Sequence, residues 1–385
     1  MVRFLHTADW HLGIKYSRLG GKADLAREIR METVRRLLES GEDVDFILVA
    51  GDLFDGNEVD SSLIHETCQN LSGIGTPVYI LPGNHDPLTR DSAYNNPVWD
   101  AAGNIHILKE AEPVNLPGDV TLYPCPVKQK QSKEDPTAWI EREDNKISIG
   151  LAHGNLQIPG FTDESNFPIN PKRADTADLD YLALGEWHSL FQYEEKTLYP
   201  GTPETTKFGE KNSGNAVMVD LERGEKPLIK PARVGKLRWE QMESKINGLD
   251  DIKSLETSLE NQENLVLNLK LRGVVGQDSF DYLENFKADD LFFFNLNMDD
   301  LYLKPNMLEF QAMIPEGSYV PKTFQALMAL MKYHPKTQEL SGISAEDAEA
   351  IFRDIRDMES VQNASPEVLK RASLMLYQMV KEVSQ

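Results

Sequence analysis

The chain has 385 residues and carries 62 Asp and Glu against 40 Lys and Arg, so its formal net charge is −22. At roughly 150 residues per domain, this length predicts two to three domains. The negative charge argues against a protein that holds nucleic acid on a broad basic surface. A nucleic-acid substrate would therefore require metal ions, local basic patches or a partner subunit.

Three features lead us to expect a cytoplasmic protein with no membrane partner. No apolar run approaches the ~20 residues that a membrane-spanning helix needs. The first residues lack the charged, apolar and small-residue pattern of a signal peptide. The two cysteines, Cys68 and Cys125, stand in unrelated contexts, which predicts neither a disulfide framework nor a cysteine zinc site.

Strand and helix patterns alternate through the first part of the chain. Short apolar runs predict strands, and stretches with apolar residues at helical spacing predict helices. The strands are expected at residues 2–5, 45–50, 76–81, 105–108, 120–125, 147–151, 181–184 and 215–221, and the helices at 24–40 and 61–71. This alternation predicts an α/β domain with a largely parallel sheet, in which ligands gather outside the carboxyl ends of the strands.

The pattern changes from residue 236 onwards. Helices are expected at residues 249–260 and 279–287, and strands at 264–272 and 291–296, which together predict a small α/β domain. The remaining pattern is helical, with helices expected at residues 323–331, 344–358 and 366–383. Ser344 and Ser365 precede acidic first turns and are expected to cap the last two of these helices.

Polar side chains that ligate metals or transfer protons follow several of the predicted strands. The candidates are Asp9, His11, Asp52, Asn84, His85, His153, Glu186 and His188. Their carboxylate oxygens, imidazole nitrogens and single amide oxygen suit two divalent ions such as manganese or iron. Such a pair can clamp a phosphoryl group and activate a water, and Asp52 is the natural shared ligand because one carboxylate has two oxygens. His85 is the expected acid toward the leaving oxygen, with Asp86 beside it as an orienting carboxylate.

Each of these signals has an ordinary structural explanation when it is taken alone. An Asp-x-His after a strand is usually a cap or a solvated pair, His153 could be a core histidine, and the run Pro82-Gly83-Asn84 is good turn chemistry. Their recurrence in order, each at the end of a predicted strand, favours one shared functional pocket.

The same residues form motifs that resemble a known family. The motifs are Asp9-x-His11, Gly51-Asp52-x-x-Asp55, Gly83-Asn84-His85-Asp86, His153-Gly154 and Gly185-x-x-His188. This set resembles the calcineurin-like metallophosphoesterases. The runs FLHTADWHLG, GDLFD and YPGTPETTKFGE are similar, more specifically, to the SbcD-type DNA repair exonucleases, whose relatives work in double-strand-break repair.

The resemblance implies a four-layered α/β sandwich that holds two divalent ions, expected to be Mn²⁺, with Mg²⁺ or Fe²⁺ as alternatives. It implies that one ion is held by Asp9, His11, Asp52 and His188, and the other by Asp52, Asn84, His153 and Glu186. It also implies that His85 is the catalytic histidine and that Asp86 supports it. No residue is assigned to substrate binding.

The resemblance further implies a metal-dependent DNA nuclease, a 3′-to-5′ exonuclease and single-strand endonuclease that hydrolyses phosphodiesters with water activated by two metal ions. The implied partners are DNA, a coiled-coil ATPase of the SbcC type and a second copy of the chain in a homodimer. The expected domains are a nuclease domain at residues 1–222, a small α/β capping domain at 234–312 and a helical C-terminal region at 313–385.

One position departs from the family pattern. The family usually has Gly-His-x-His in its last motif, whereas this chain has Gly185-Glu186-Trp187-His188. A glutamate can still ligate a hard cation, and its charge favours Mn²⁺ or Mg²⁺ over softer ions. Two alternatives stay open. The acidic composition favours a phosphodiesterase for nucleotides or other small phosphodiesters, and Glu186 keeps open a non-catalytic adaptor that binds DNA ends or an ATPase.

Overall fold

The computed structural model describes residues 1–142, 144–160, 166–305, 320–333 and 365–384. The chain forms two compact units, one of residues 1–240 with 264–266 and the other of residues 241–263 with 267–385. The three-part division into domains stays a prediction. The helix expected at residues 344–358, with its Ser344 cap, lies outside the described residues.

The first sheet carries the strands that lead into the candidate motifs. Its strands are β1 (Val2–Thr7), β2 (Phe46–Ala50), β3 (Val78–Leu81), β4 (Ile105–Ile107), β13 (Asn215–Leu221) and β14 (Leu228–Arg233). They lie in the order β14-β13-β1-β2-β3-β4, with β1 to β4 parallel and β13 antiparallel to β1. Helices α1 (Ala23–Glu39) and α2 (Ser61–Gly73) connect β1 to β2 and β2 to β3. The predicted alternation of strand and helix is therefore confirmed over this region.

The second sheet completes the sandwich. Its strands are β5 (Val114–Leu116), β6 (Val120–Cys125), β7 (Ile147–His153), β10 (Tyr181–Gly185), β11 (Phe191–Tyr193) and β12 (Thr197–Tyr199). They lie in the order β11-β12-β10-β7-β6-β5, with the four central strands parallel and both edge strands antiparallel. The ends of β7 and β10 carry His153 and Gly185, so this sheet supplies the later motifs.

Four layers follow from the alternation of side chains along the strands. Phe4 packs with Leu151 between the two sheets, whereas its neighbour Leu5 packs with Leu37 of α1 on the outer face of the first sheet. The outer face of the second sheet is covered by apolar residues around the short helix α3 (Arg173–Thr176) and the small strands β8 (Asn155–Leu156) and β9 (Pro168–Ile169). The four-layered α/β sandwich is confirmed, with a fourth layer built largely of loops.

Residues 238–303 form a three-stranded sheet with two helices. The strands β15 (Arg238–Ile246), β16 (Leu265–Val275) and β17 (Phe293–Leu303) lie in that order, and the helices are α4 (Leu249–Leu259) and α5 (Gln277–Glu284). Two further helices follow, α6 (Val320–Tyr333) and α7 (Pro366–Ser384). The expected cap of α7 is present, because Ser365 Oγ accepts a hydrogen bond from Val368 N. Within the described residues, no helix combines the length and apolar composition needed to cross a membrane.

Candidate metal centre

The loops that follow β1 and β2 run side by side and bring the first candidate residues together. Asp9 N donates to Gly51 O and His11 N donates to Asp52 O, both at 3.0 Å. Because β1 and β2 are parallel neighbours, their carboxyl ends open at the same edge of the sheet. The first two predicted motifs therefore share one site.

Four of the candidate residues hold unusual backbone conformations. Asp9, His11 and Asp52 have φ angles of 55°, 42° and 52°, in the left-handed region, and Glu186 has a φ of 105°. Residues other than glycine seldom adopt positive φ, and such conformations persist where the surroundings fix them, commonly at functional sites. The surrounding structure thus holds the backbone at these four residues in conformations that regular strands and helices do not contain.

Two glycines allow the motifs to approach closely. A Cβ atom on Gly83 would lie 2.1 Å from Asp52 Oδ1, and one on Gly51 would lie 2.2 Å from His153 Nδ1. Both distances are far below van der Waals contact, so any larger residue would push Asp52 or His153 out of place. Gly51 also has a φ of 89°, which a glycine adopts without strain.

We call Asp9, His11 and His188 the first half of the centre. The Nε2 atoms of His11 and His188 lie 3.0 Å apart, and the ligand atoms of all three residues lie within 4.8 Å of one another. The other ring nitrogens face carboxylates, with His11 Nδ1 3.2 Å from Asp55 Oδ1 and His188 Nδ1 2.5 Å from Glu210 Oε1. Since an ionised carboxylate only accepts, the hydrogen bond to Glu210 places a proton on His188 Nδ1. The Nε2 atoms of both histidines face the same small volume.

Asp52 lies between the two halves of the centre and is buried. Its Oδ2 atom is 3.7 Å from His11 Nε2 and 3.4 Å from His153 Nε2. Its Oδ1 atom accepts a hydrogen bond from His85 N at 3.0 Å. One carboxylate oxygen thus faces imidazoles from both halves, which is the position that a ligand shared by two ions requires.

We call Asn84, His153 and Glu186 the second half of the centre. His153 Nδ1 donates to Ala50 O at 2.9 Å, which directs its Nε2 atom into the site. That Nε2 atom lies 3.1 Å from Glu186 Oε2, and the same oxygen accepts from Asn84 Nδ2 at 2.7 Å. The glutamate that departs from the family pattern therefore lies against both other members of this half.

His85 lies at the edge of the centre and is open to solvent. Its side chain is 49% exposed, and it lines a cavity of about 830 Å³. Its Nδ1 atom donates to the main-chain oxygen of Asp55 at 3.1 Å. The imidazole is thus fixed at one nitrogen and accessible to a molecule in the cavity.

The partners of Asp86 correct the expectation that it contacts His85. The Asp86 carboxylate is fully buried and accepts from Phe54 N at 2.9 Å, Gly83 N at 2.8 Å and Tyr94 Oη at 2.6 Å. These donors belong to the loops that follow β2 and β3, and Asp86 satisfies their buried polar groups. Asp86 thus links the two loops that carry the candidate residues Asp52 and Asn84, and the group beside His85 Nδ1 is the main-chain oxygen of Asp55.

The pKa values of the buried groups are shifted in both directions. Burial raises the pKa of Asp9 to about 7 and lowers the pKa of His11 to about 4. Burial also opposes ionisation of Asp52, but the imidazoles of His153 and His11 hold its pKa below the ordinary value. Burial opposes protonation of His153 as well, yet Asp52 and Glu186 raise its pKa well above the usual value. Asp9 and His153 thus favour their protonated forms, in which a bound cation would replace the proton, whereas His11 favours the neutral form that can ligate.

The atoms present fit divalent cations. Among the described residues, His153 Nε2 and Asn84 Oδ1 are buried and have no hydrogen-bond partner. The carboxylates near His153 Nε2 lie within ion-pair distance but outside hydrogen-bond geometry. Buried polar atoms nearly always have a hydrogen-bond partner or a ligand, so these two atoms indicate that a group binds between them. Imidazole nitrogen, carboxylate oxygen and amide oxygen together form a ligand set for borderline or hard divalent ions.

Two carboxylates that support the centre were given no role from the sequence. Glu210 accepts from Thr206 N at 2.7 Å while it contacts His188, and Asp55 lies against His11. Both stand in runs that carry the resemblance, GDLFD and YPGTPETTKFGE, and membership of these runs is the signal that could have found them. Residue spacing could not, because Glu210 lies 22 positions after His188 in a loop.

A buried arginine fixes the loop that carries the first two ligands. Arg30 of α1 is 1% exposed and donates to Trp10 O at 2.6 Å. The same guanidinium donates to Tyr16 Oη at 2.6 Å and to Thr205 O at 3.2 Å. Since Trp10 stands between Asp9 and His11, Arg30 links these two candidate residues to the segment around Thr205.

An α/β sandwich with such a centre at its strand ends defines a metal-dependent phosphoesterase. Residues 2–214 match the family model described as "Calcineurin-like phosphoesterase". The match covers more than half of the chain, and the chain therefore belongs to the calcineurin-like phosphoesterase family, whose members bind divalent metal ions.

Two curated relatives come from Bacillus subtilis. The protein described as "Uncharacterized metallophosphoesterase YhaO" is 27% identical over 248 residues, covering 58% of this chain and 58% of that protein. A subunit of the nuclease SbcCD is 27% identical over 292 residues, covering 60% of this chain and 72% of that protein. The chain thus spans less than two thirds of the length of the first relative. A solved crystal structure of TT1561 from Thermus thermophilus is 13% identical, with a TM-score of 0.40, covering 60% of this chain and 99% of that chain.

Proposed function

We propose that this centre holds two divalent metal ions, of which Mn²⁺ is the best candidate, and that the chain hydrolyses phosphodiesters. Asp9, His11, Asp52 and His188 would hold one ion, and Asp52, Asn84, His153 and Glu186 would hold the other. Bound there, the ions would supply Lewis acidity and an ionised water. The observation that carries this proposal is the pair of buried, unpartnered ligand atoms, His153 Nε2 and Asn84 Oδ1, beside the Asp52 and Glu186 carboxylates.

The role proposed for His85 is to protonate the leaving oxygen. The Asp55 main-chain oxygen can only accept, so it keeps Nδ1 as the donor and leaves Nε2 to carry the transferred proton. The Asp52 carboxylate accepts from His85 N, which ties the backbone of the acid to the proposed shared ligand. Proton transfer of this kind contributes typically about 10²–10⁴-fold to a rate.

The substrate that we propose is DNA, cut as a 3′-to-5′ exonuclease and single-strand endonuclease in double-strand-break repair. The relatives named as a subunit of the nuclease SbcCD support this choice, together with the runs FLHTADWHLG and YPGTPETTKFGE. Because those relatives are named as one subunit of a larger nuclease, they also support a partner for this chain. We propose an SbcC-type coiled-coil ATPase as that partner and a homodimer as the working form.

A phosphodiesterase for nucleotides or other small phosphodiesters is the second candidate. The net charge of −22 favours it, as does the relative that is named only as a metallophosphoesterase. A non-catalytic adaptor is the third, and the replacement of the usual histidine by Glu186 is the feature that favours it. The experiment that follows separates all three.

The test uses the purified full chain with MnCl₂ and three substrates: linear duplex DNA, circular single-stranded DNA and a chromogenic phosphodiester. We expect cleavage of all three and its loss in EDTA. The small-substrate candidate predicts cleavage of the chromogenic diester alone, and the adaptor predicts binding of DNA without cleavage.

The variant His85→Ala separates true turnover from contamination. We expect it to lower the cleavage rate by about 10²–10⁴-fold while two Mn²⁺ ions per chain remain bound. His65→Ala changes an exposed histidine of α2 and serves as the matched control, with unchanged activity expected. An unchanged rate in His85→Ala would contradict the proposed acid.

A further inference from the structure

The cavity beside the metal centre has a wall that the proposed chemistry does not use. His85 and His188 line this cavity, and Phe208 and Trp239 line it as well. The Phe208 and Trp239 rings meet edge to face, with centroids 4.9 Å apart and an interplanar angle of 68°. Both side chains are only partly buried, so aromatic surface remains open beside the site.

The aromatic wall is fixed to the metal centre rather than loosely placed. Tyr16 stacks behind Trp239, with centroids 6.1 Å apart, and its hydroxyl donates to Thr205 O at 3.0 Å. The next residue, Thr206, lies 3.2 Å from His188 Nδ1 through its hydroxyl. The segment that carries Phe208 therefore also contacts a proposed metal ligand, which sets the wall at a defined position from the reacting phosphate.

Trp239 also has an unused polar atom. Its indole Nε1–H is buried and has no hydrogen-bond partner among the described residues. A buried donor without a partner costs stability, and this one belongs to a side chain that lines an open cavity. The nitrogen itself has no accessible surface, so it is the partly exposed ring of Trp239 that is offered to a ligand in the cavity.

Unpaired cations surround the same cavity. Lys15, Arg18 and Lys207 line it and are exposed. Among the described residues, the side chains of these three form no ion pair or hydrogen bond, in a chain whose net charge is −22. Other surface lysines are paired, as Lys226 is with Glu195.

The carboxylates that line the cavity do not neutralise these cations. Asp55 faces His11 at 3.2 Å, and Glu210 contacts His188. The third, Glu186, lies 3.1 Å from His153 Nε2. Each carboxylate that lines the cavity thus faces an imidazole of the centre. The side chains of Lys15, Arg18 and Lys207 are therefore available to bind an anionic ligand.

From this juxtaposition we propose a nucleotide-binding subsite: the base next to the scissile phosphodiester stacks on Phe208 and Trp239, and Lys15, Arg18 and Lys207 bind neighbouring phosphates of a single-stranded end. Aromatic platforms combined with cations are how proteins hold single strands without reading sequence. The inference rests on the proposed phosphodiesterase function and adds to it the form of the substrate, an unpaired strand end with its terminal base present.

The first test measures binding without catalysis. A fluorescein-labelled single-stranded oligonucleotide is titrated with the full chain in EDTA, so that cleavage plays no part. Trp239→Leu is expected to weaken binding by about 5- to 100-fold, the range for loss of one stacked base. Trp139→Leu makes the same change in a partly buried tryptophan on the outer face of the second sheet, and unchanged binding is expected.

The cations are tested in the same titration at several salt concentrations. Lys207→Ala is expected to weaken binding and to reduce its salt dependence by about one unit of slope, as loss of one phosphate contact does. Lys226→Ala removes an exposed lysine that is paired elsewhere and should leave both quantities unchanged. Equal effects of the two variants would contradict the assignment of Lys207.

The second test uses cleavage of two matched oligonucleotides, one with a normal 3′-terminal nucleotide and one abasic there. The wild type is expected to prefer the normal end by about 5- to 100-fold in kcat/KM, and Trp239→Leu is expected to lose most of that preference. Equal cleavage of both ends by the wild type would overturn the subsite while leaving the proposed function intact. Failure to cleave either end would instead contradict the proposed function. Competition by a mononucleotide as strong as by the oligonucleotide would overturn the assignment to a strand end.

Discussion

The two halves of the metal centre are built in different ways. In the first half, a carboxylate lies beside the ring nitrogen that faces away from the site, Asp55 beside His11 and Glu210 beside His188. In the second half, His153 is held by the main-chain oxygen of Ala50, and Glu186 contributes a charged side chain that is 23% exposed. Each half has one carboxylate of its own, Asp9 or Glu186, and each is partly open to solvent, at His188 (20% exposed) or at Glu186. The halves therefore differ in the group behind the imidazole, which is a carboxylate in the first half and a main-chain oxygen in the second.

The contacts of Glu186 explain how the chain can accept a glutamate where the family usually has a histidine. The Glu186 backbone holds a φ of 105°, and its N–H donates to both carboxylate oxygens of Asp9, at 3.1 and 3.2 Å. The position of residue 186 is therefore set by the backbone and by the first half, whatever side chain it bears. The identity of that side chain then decides the charge of the second half and the class of ion that it favours.

Asp52→Asn is expected to have the largest effect because Asp52 faces both halves. The amide keeps one oxygen that can ligate but loses the negative charge, so both ions should bind much more weakly and the rate of phosphodiester cleavage should fall by roughly 10⁴-fold or more. Cleavage rates and metal content by mass spectrometry measure the two effects. Asp119→Asn is the control, since Asp119 also has a positive φ, of 58°, but is exposed in a turn. Retention of two tightly bound ions by Asp52→Asn would contradict a shared ligand.

A pH dependence of stability is expected to come from Asp9 when metal is absent. The folded pKa of about 7 lies above the ordinary value of 3.8, so between these pH values the folded chain binds more protons than the unfolded chain. Stability contributed by Asp9 is then present at low pH and is lost as pH rises toward 7, by at most about 4 kcal/mol. Bound cation should remove the loss, since it takes the place of the proton.

Urea unfolding between pH 5 and 8, with EDTA or with MnCl₂, measures this dependence. Mn²⁺ should stabilise the wild type more at pH 8 than at pH 5. Asp9→Asn in EDTA should show a flatter pH profile than the wild type, because its amide does not titrate. Identical profiles for the two proteins would exclude Asp9 as the source.

Substitutions of Glu186 test the second half alone. Glu186→Gln keeps the size of the side chain but removes its charge, and we expect about 100-fold weaker binding of the second ion with the first ion little changed. Glu186→His restores the usual family residue, and we expect two ions to stay bound with a preference shifted toward softer ions such as Zn²⁺. Calorimetric titration with Mn²⁺ and Zn²⁺ measures both, and the first ion serves as the internal control. Equal weakening of both ions would show that the halves are not separable.

The sequence predicts the parts of the molecule that depend on local pattern. Buried apolar runs give β2 and β3, and the polar residues that follow them give Asp52 and Asn84, because parallel strands deliver their ends to one edge. The edge strand β14 was missed because it is mostly exposed and contains Pro231, so it has no apolar pattern. Its place is decided by pairing with β13, a long-range contact that no local signal encodes.

The contacts that support the site could not be predicted from local sequence patterns, because they too join residues that are distant in the chain. Asp86 was expected to contact its neighbour His85, yet its partners include Phe54 and Tyr94, which only folding brings near. The carboxylate of Glu210 reaches His188 across a loop, which spacing does not predict. Sequence motifs thus identify the proposed ligands, whereas the groups that orient them are set by tertiary structure.

Glu210→Gln is the finest probe of the first half and is expected to have the smallest effect. Burial raises the pKa of Glu210, but the contact with His188 outweighs burial and lowers that pKa to about 2, so the carboxylate is ionised. In the variant, the amide oxygen can still accept from His188 Nδ1, but this charge is gone. We expect about 10-fold weaker binding of the first ion, the lower end for loss of an orienting partner, with two ions bound at saturation and the second little changed. Glu195→Gln, in an exposed carboxylate paired with Lys226, is the matched control. If only the second ion bound 10-fold more weakly, the placement of Glu210 in the first half would be wrong. If only the first ion bound more weakly, the carboxylate behind His188 would account for the difference between the halves.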